Sequence, residues 1–228
     1  MRLYNRILVV AAHPDDEILG CGGLLSLQSS LGASIRVIFI AEGSSCRYSC
    51  PSSDQAQNEI IHRNDCAHRS LSLLGVNDLR FFNFPCGRLD TLPIIDINKI
   101  IESQIRDFDP VLILSHSPDD TNNDHKLVSR SLSMATRPYS CQVSEILFFE
   151  VLSSSEWNFS TPFKPNVFFQ LQEEQIDDKI QALLCYDTEI KEFPYPRSPE
   201  GIRTLAKLRG MQSGFTYAEA FSLYRSIV

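Results

Sequence analysis

The chain of 228 residues predicts an α/β fold: a Rossmann-like, mostly parallel sheet with helices on both faces, in three layers. Two observations lead there. Short apolar runs rich in β-branched residues alternate with longer amphipathic segments of helical period, the pattern of strands buried on both faces and joined by crossover helices. The length suffices for one large domain with a well-buried core, and no shift in composition calls for a second, so residues 1–228 are read as a single domain.

In chain order, residues 7–12, Ile-Leu-Val-Val-Ala-Ala, are the first strand. A helix over residues 16–30 closes at Gly32 and contains Gly20, Gly22 and Gly23. Each interior glycine costs roughly 1 kcal/mol against alanine, which implies a helix that must approach the sheet or the site closely. Strands follow at 35–41, 79–84 and 111–115, alternating with helices at 54–74, 93–107 and 126–136. The remainder reads as strands at 145–152 and 166–171, the second at an edge, and helices at 175–186, 199–211 and 217–227. The loop at 42–53 borders the crevice at the strand ends, and the irregular stretch at 153–165 is a candidate wall of the pocket.

The first strand ends abruptly in His13-Pro14-Asp15-Asp16-Glu17. Two readings of this cluster stand side by side. Proline near the first helical position with acidic residues behind it is an ordinary helix start. Alternatively, because open α/β sheets bind ligands beyond the carboxyl ends of their strands, the same residues point into a site. Later in the chain His116 sits just past a strand, and Asp124-His125 opens the next helix.

The stretch Ala12-His13-Pro14-Asp15-Asp16-Glu17 resembles the signature of the PIG-L (LmbE-like) family of zinc-dependent N-deacetylases, which remove acetyl groups from amino sugars. The likeness continues through Asp124-His125, the segment 84–90 (Phe-Pro-Cys-Gly-Arg-Leu-Asp), Thr136-Arg137-Pro138, Pro165-Asn166 and residues 193–198 (Phe-Pro-Tyr-Pro-Arg-Ser), and so spans nearly the whole chain. The resemblance implies that His13, Asp16 and His125 bind zinc and that Asp15 is the general base. Arg63, on the 54–74 helix, and Arg88, in the 84–90 segment, are the candidate substrate-binding residues. His62 and His68 on that helix are six apart, which does not place them on one face.

Two imidazoles and one carboxylate suit catalytic zinc, since they leave coordination positions open. Ligand type allows iron or cobalt as well. Asp15, beside Asp16 on a different vector, is placed to carry a proton from water to the leaving amine. There are two departures from the resemblance. Much of the family carries a His where this chain has Asn122, and Asn donates a hydrogen bond to an oxyanion but cannot shuttle a proton. His116 is therefore the candidate for the missing proton transfer, with Asp119, Asp120 or Asp124 orienting it. Cys86 stands where relatives often carry an Asp that contacts sugar hydroxyls.

The implied function is zinc-dependent removal of the N-acetyl group from an amino sugar, free, nucleotide-linked or within a glycoside, in glycan or surface-polysaccharide synthesis. The alternative is a metal- or sugar-binding protein that kept the fold without turnover, and a metal phosphohydrolase is a weaker one. An intact Asp15 discriminates, because a binder needs no base beside its ligands. A net charge of −7 without a basic cluster opposes nucleic acid or an anionic membrane surface as partner. No apolar run is long enough to insert into a membrane. The sequence leaves a homo-oligomer open. Seven cysteines without a Cys-x-x-Cys pair argue against a disulfide framework or structural zinc cluster; Cys46 and Cys50 in the 42–53 loop read as free thiols, with a cross-link or a metal between them as the alternative. The apolar run behind Arg2 and Arg6 is too short for a signal peptide, and the protein reads as cytoplasmic.

Overall fold

The computed structural model describes residues 2–139 and 141–228. Strand β1 (Arg6–Ala11) leads through α1 (Asp16–Ser30) to β2 (Ser34–Ala41), then through α2 (Asp54–Leu73) to β3 (Asp78–Phe84). Helix α3 (Ile94–Phe108), β4 (Leu112–His116), α4 (Asn123–Ala135) and β5 (Glu145–Phe149) continue the alternation. The chain closes with β6 (Val167–Leu171), α5 (Glu173–Leu184), α6 (Pro199–Ser213) and β7 (Tyr217–Ser226). These strands form one sheet in the order β3-β2-β1-β4-β5-β7-β6, parallel from β3 to β5, with β7 antiparallel to both of its neighbours.

Alternation along the central strands builds the three layers. Ile7, Val9 and Ala11 face the core shared with α1, α2, α5 and α6, whereas Leu8, Val10 and Ala12 face the core shared with α3 and α4. The same split sends Val37 and Phe39 one way and Ile38 and Ile40 the other. All are buried, which is why these strands read as continuous apolar runs. The glycines of α1 act as expected. A Cβ at Gly20 would overlap the Phe149 ring and one at Gly23 would come within 2.5 Å of Leu171, so both are needed for the helix to lie against the sheet.

One element differs from expectation. Residues 217–227, read from sequence as a helix, instead contain the strand β7. Tyr217, Glu219 and Phe221 share one face, with Tyr217 and Phe221 in the larger core. The backbone is paired on both sides, to β5 and to β6, which leaves β6 as the edge. Partners far apart in sequence outweigh local propensity.

Candidate active site

The sheet order reverses around β1, with β2 on one side and β4 on the other, so a crevice opens beyond the carboxyl ends of β1 and β4. His13 follows β1, Asp16 opens α1, and Asp124 and His125 open α4. Asn122 caps α4 by accepting from the Asp124 N–H at 2.9 Å. Two helix amino termini therefore meet over the site, each favouring negative charge.

Asp16 is the centre of this arrangement. Its Oδ2 lies 3.3 Å from His13 Nδ1, and its Oδ1 lies 3.3 Å from His125 Nε2. Donor atoms sharing a tetrahedral zinc stand about 3.4 Å apart, given bond lengths of roughly 2.0–2.2 Å. Asp16 Oδ1 and His125 Nε2 are buried without a hydrogen-bond partner, so these donors fit a divalent cation. The outward nitrogens face carboxylates: His13 Nε2 is 3.0 Å from Asp124 Oδ2, and His125 Nδ1 is 3.2 Å from Asp120 Oδ1. Those partners orient the rings so that Nδ1 of His13 and Nε2 of His125 turn inward. Burial works against charge on both His125 and Asp16. Asp16 and Asp120 nevertheless push His125 up to about 10, and His125 in turn holds Asp16 well below the usual carboxylate range.

Asp15 is fully buried, with a φ of 114° that only a well-supported backbone sustains outside glycine. Its Oδ2 is clamped by Arg197 Nη1 and by Arg63 Nη2, the latter at 3.1 Å, while Oδ1 has no partner. Burial raises the Asp15 carboxyl against the pull of both arginines. Glu189 completes the clamp, accepting from Arg63 Nη1 at 2.8 Å and pairing with Arg197 and Arg47. The Asp15 N–H donates to Glu17, which also accepts from the Tyr186 hydroxyl at 2.5 Å and which burial pushes up to about 8.

Several expectations need correction. Arg63 is not free for substrate: it is 3% exposed and donates to the Pro14 and Gly43 carbonyls as well as to Glu189. Asp124 orients His13 rather than His116. His116 is fully buried, accepts from the Ala12 N–H through Nε2 at 2.8 Å, stacks on His125 with centroids 4.0 Å apart, and is pushed down to about 3 by burial. Its Nε2, 3.5 Å from Asp16 Oδ2, is thus held by the backbone, while its Nδ1 is buried without a partner. Arg88 is exposed, on a loop whose Gly87 and Leu89 N–H groups donate to Asp124 at 2.6 and 3.3 Å. Arg197, Glu189, and Asp120 as the partner of His125 were not anticipated. The 193–198 segment and the paired Asp119-Asp120 were their only signals.

Residues 8–136 match the family model described as PIG-L, GlcNAc-PI de-N-acetylase. The chain belongs to the PIG-L family. It is 28% identical over 185 residues to an uncharacterized deacetylase, YaiS, of Escherichia coli K12, covering 78% of this chain and 88% of that protein. Diacetylchitobiose deacetylase of Thermococcus kodakarensis is 23% identical over 223 residues, covering 94% of this chain and 81% of the relative. Among solved structures, GalB of Pseudomonas putida KT2440, a 4-carboxy-2-hydroxymuconate hydratase, superposes with a TM-score of 0.77 at 21% identity. It covers 98% of this chain and 97% of its own, and at that identity it bears on the fold alone. No helix among the described residues is long and apolar enough to cross a membrane.

Proposed function

We propose that this PIG-L family member is a zinc-dependent N-deacetylase acting on an N-acetylated amino sugar or its conjugate. The observation that carries the reading is the free, buried Oδ1 of Asp15 beside the inward-facing donors of His13, Asp16 and His125. When bound there, zinc supplies the Lewis acidity that polarises an amide carbonyl and acidifies water. Asp15 takes the proton of the attacking water at its free oxygen and returns it to the departing amine, because Asn122 cannot shuttle a proton and His116 Nε2 is occupied by the Ala12 N–H. Arg197 and Arg63 hold the other Asp15 oxygen and so aim the free one. Asn122 uses its carbonyl oxygen as a helix cap, which leaves its NH2 to donate to the developing oxyanion. Arg88 is the exposed candidate for contact with the sugar.

The fold does not choose the reaction, since a hydratase shares it. The alternative of a binding protein without turnover is opposed by the clamped Asp15, whose strained backbone has no use in a mere scaffold. The test is release of free amine from N-acetylated sugars, their nucleotide conjugates and glycosides by the zinc-loaded protein. Asp15→Asn is expected to keep its zinc and lose turnover by at least about a hundredfold. No release from any of the panel, or equal turnover in the variant, overturns the reading.

A further inference from the structure

Two loops at the mouth of the crevice carry cysteines that the reaction above leaves unused. Cys46 lies in the turn Ser45–Arg47 after β2, Cys86 follows β3, and their sulfurs are 3.3 Å apart. Glu42 holds both segments in place. Its carboxylate accepts from the N–H groups of Ser44 at 2.6 Å, Ser45 at 2.9 Å and Cys86 at 2.8 Å. One buried side chain thus presets the meeting of two thiols that are 40 positions apart in the chain. Cys50, the neighbour suggested by the sequence, is engaged elsewhere, with Ser52.

We propose that Cys46 and Cys86 are a reversible dithiol site, oxidised by low-molecular-weight disulfides of the glutathione class, and that the bond they form restrains the adjacent site. The effect on turnover rests on the deacetylase reading; formation of the bond does not. Cys46 is exposed and Cys86 is buried, so an external disulfide meets Cys46 first. The Cys86 thiol donates to Cys46 and brings the Cys46 thiol down to about 6, which makes Cys46 the attacking thiolate. Its sulfur bonds to one sulfur of the external disulfide and expels the other half as a thiolate. Cys86 then yields its proton to that thiolate, its sulfur attacks Cys46, and the second half leaves. One external disulfide becomes two thiols, and two protein thiols become one disulfide.

The bond reaches the chemistry from both ends. Closing the sulfurs from 3.3 Å to about 2.05 Å draws them together by roughly 1.3 Å, and the fixed disulfide geometry then ties the two loops directly to each other. The residue after Cys86 is Gly87, whose N–H donates to the Asp124 oxygen that orients His13. The residue after Cys46 is Arg47, paired with Glu189 at 2.7 Å within the clamp on Asp15. Loosening such partners of a metal ligand lowers metal affinity or turnover about 10- to 100-fold.

The test uses the reduced, zinc-loaded protein incubated with excess glutathione disulfide and mapped as peptides without reduction. The expected result is a Cys46–Cys86 cross-link, loss of two free thiols, and amine release and zinc affinity each down at least about tenfold, with recovery on dithiothreitol. Cys46→Ser is expected to keep basal activity and become insensitive to the oxidant. A Cys46–Cys50 link, a lasting glutathione adduct on Cys46 without a protein bond, or equal inhibition of Cys46→Ser overturns the proposal. Peptide mapping and zinc competition need no substrate, so they decide the matter even if the deacetylase reading fails.

Discussion

The His13, Asp16 and His125 cluster and the Lys179, Glu219, Arg209 and Glu150 cluster are both buried, yet their polar atoms are engaged in opposite ways. In the second cluster partners are found throughout. Lys179 donates to Glu219 at 2.6 Å and to the Leu19 carbonyl at 2.8 Å, Glu219 accepts from the Gly23 and Leu24 N–H groups, and Arg209 Nε donates to Glu150 at 2.7 Å. The first of these pairs tie α5 and β7 to the middle of α1, and the last ties α6 to the end of β5. In the first cluster Asp16 Oδ1 and both ring nitrogens of His125 are left without hydrogen bonds, as is Oδ1 of the adjacent Asp15. Buried charge by itself therefore marks only a desolvation penalty that something must offset. Unpaired donors turned toward one another are what mark a place for a ligand.

The comparison can be broken experimentally, and the largest effect belongs to the crevice. Asp16→Ala is expected to abolish tight zinc binding, measured by metal analysis after dialysis, with the far-ultraviolet circular dichroism unchanged. Stoichiometric zinc in that variant would remove Asp16 from the ligand set. Lys179→Met should do the reverse, lowering unfolding free energy in urea by about 3–5 kcal/mol, because it leaves Glu219 buried without its cation. Its zinc content and turnover per folded molecule should match the unsubstituted protein, and a zinc defect would show that the two clusters are not separable.

Smaller effects sharpen the division inside the crevice. Asp120→Asn keeps a hydrogen-bonding group beside His125 but loses the charge that orients it, so zinc affinity should fall about 10- to 100-fold in a chelator competition. An unchanged affinity would make the 3.2 Å contact incidental. The pH dependence has a defined sign. His125 in the metal-free protein is raised to about 10, above its ordinary 6.5, so between those values a cation must displace a proton. Zinc affinity should accordingly rise at least about tenfold per pH unit across that window, steeper where His13, also raised, is protonated too, and flatten above it. A flat profile between pH 7 and pH 9 would contradict the carboxylate environment assigned to this ring.

Much of the fold was legible because its signals are local. Strands buried on both faces must be apolar throughout, and that constraint is written in residues 7–12 and 35–41 without reference to any partner. The crowding at Gly20 and Gly23 was legible for a similar reason, since interior glycines are unfavourable in a helix unless something requires them. His13, Asp15, Asp16 and His125 stood out through the resemblance to the PIG-L family, whereas local pattern alone left His13 to Glu17 equally readable as a helix start.

The sequence by itself determined the alternating architecture, the main core residues and the cluster of candidate ligands. Tertiary structure alone decided whether residues 217–226 form a helix or a strand, because the choice rests on hydrogen bonds to β5 and β6 rather than on local preference. It also decided which carboxylate faces which ring, why Arg63 is closed to substrate, and that Arg197 holds Asp15 from 182 residues away. The meeting of Cys46 with Cys86 is of the same kind. Strand and helix periods act over a few residues, whereas a contact between loops depends on where the whole sheet carries their ends, and no local pattern encodes that distance.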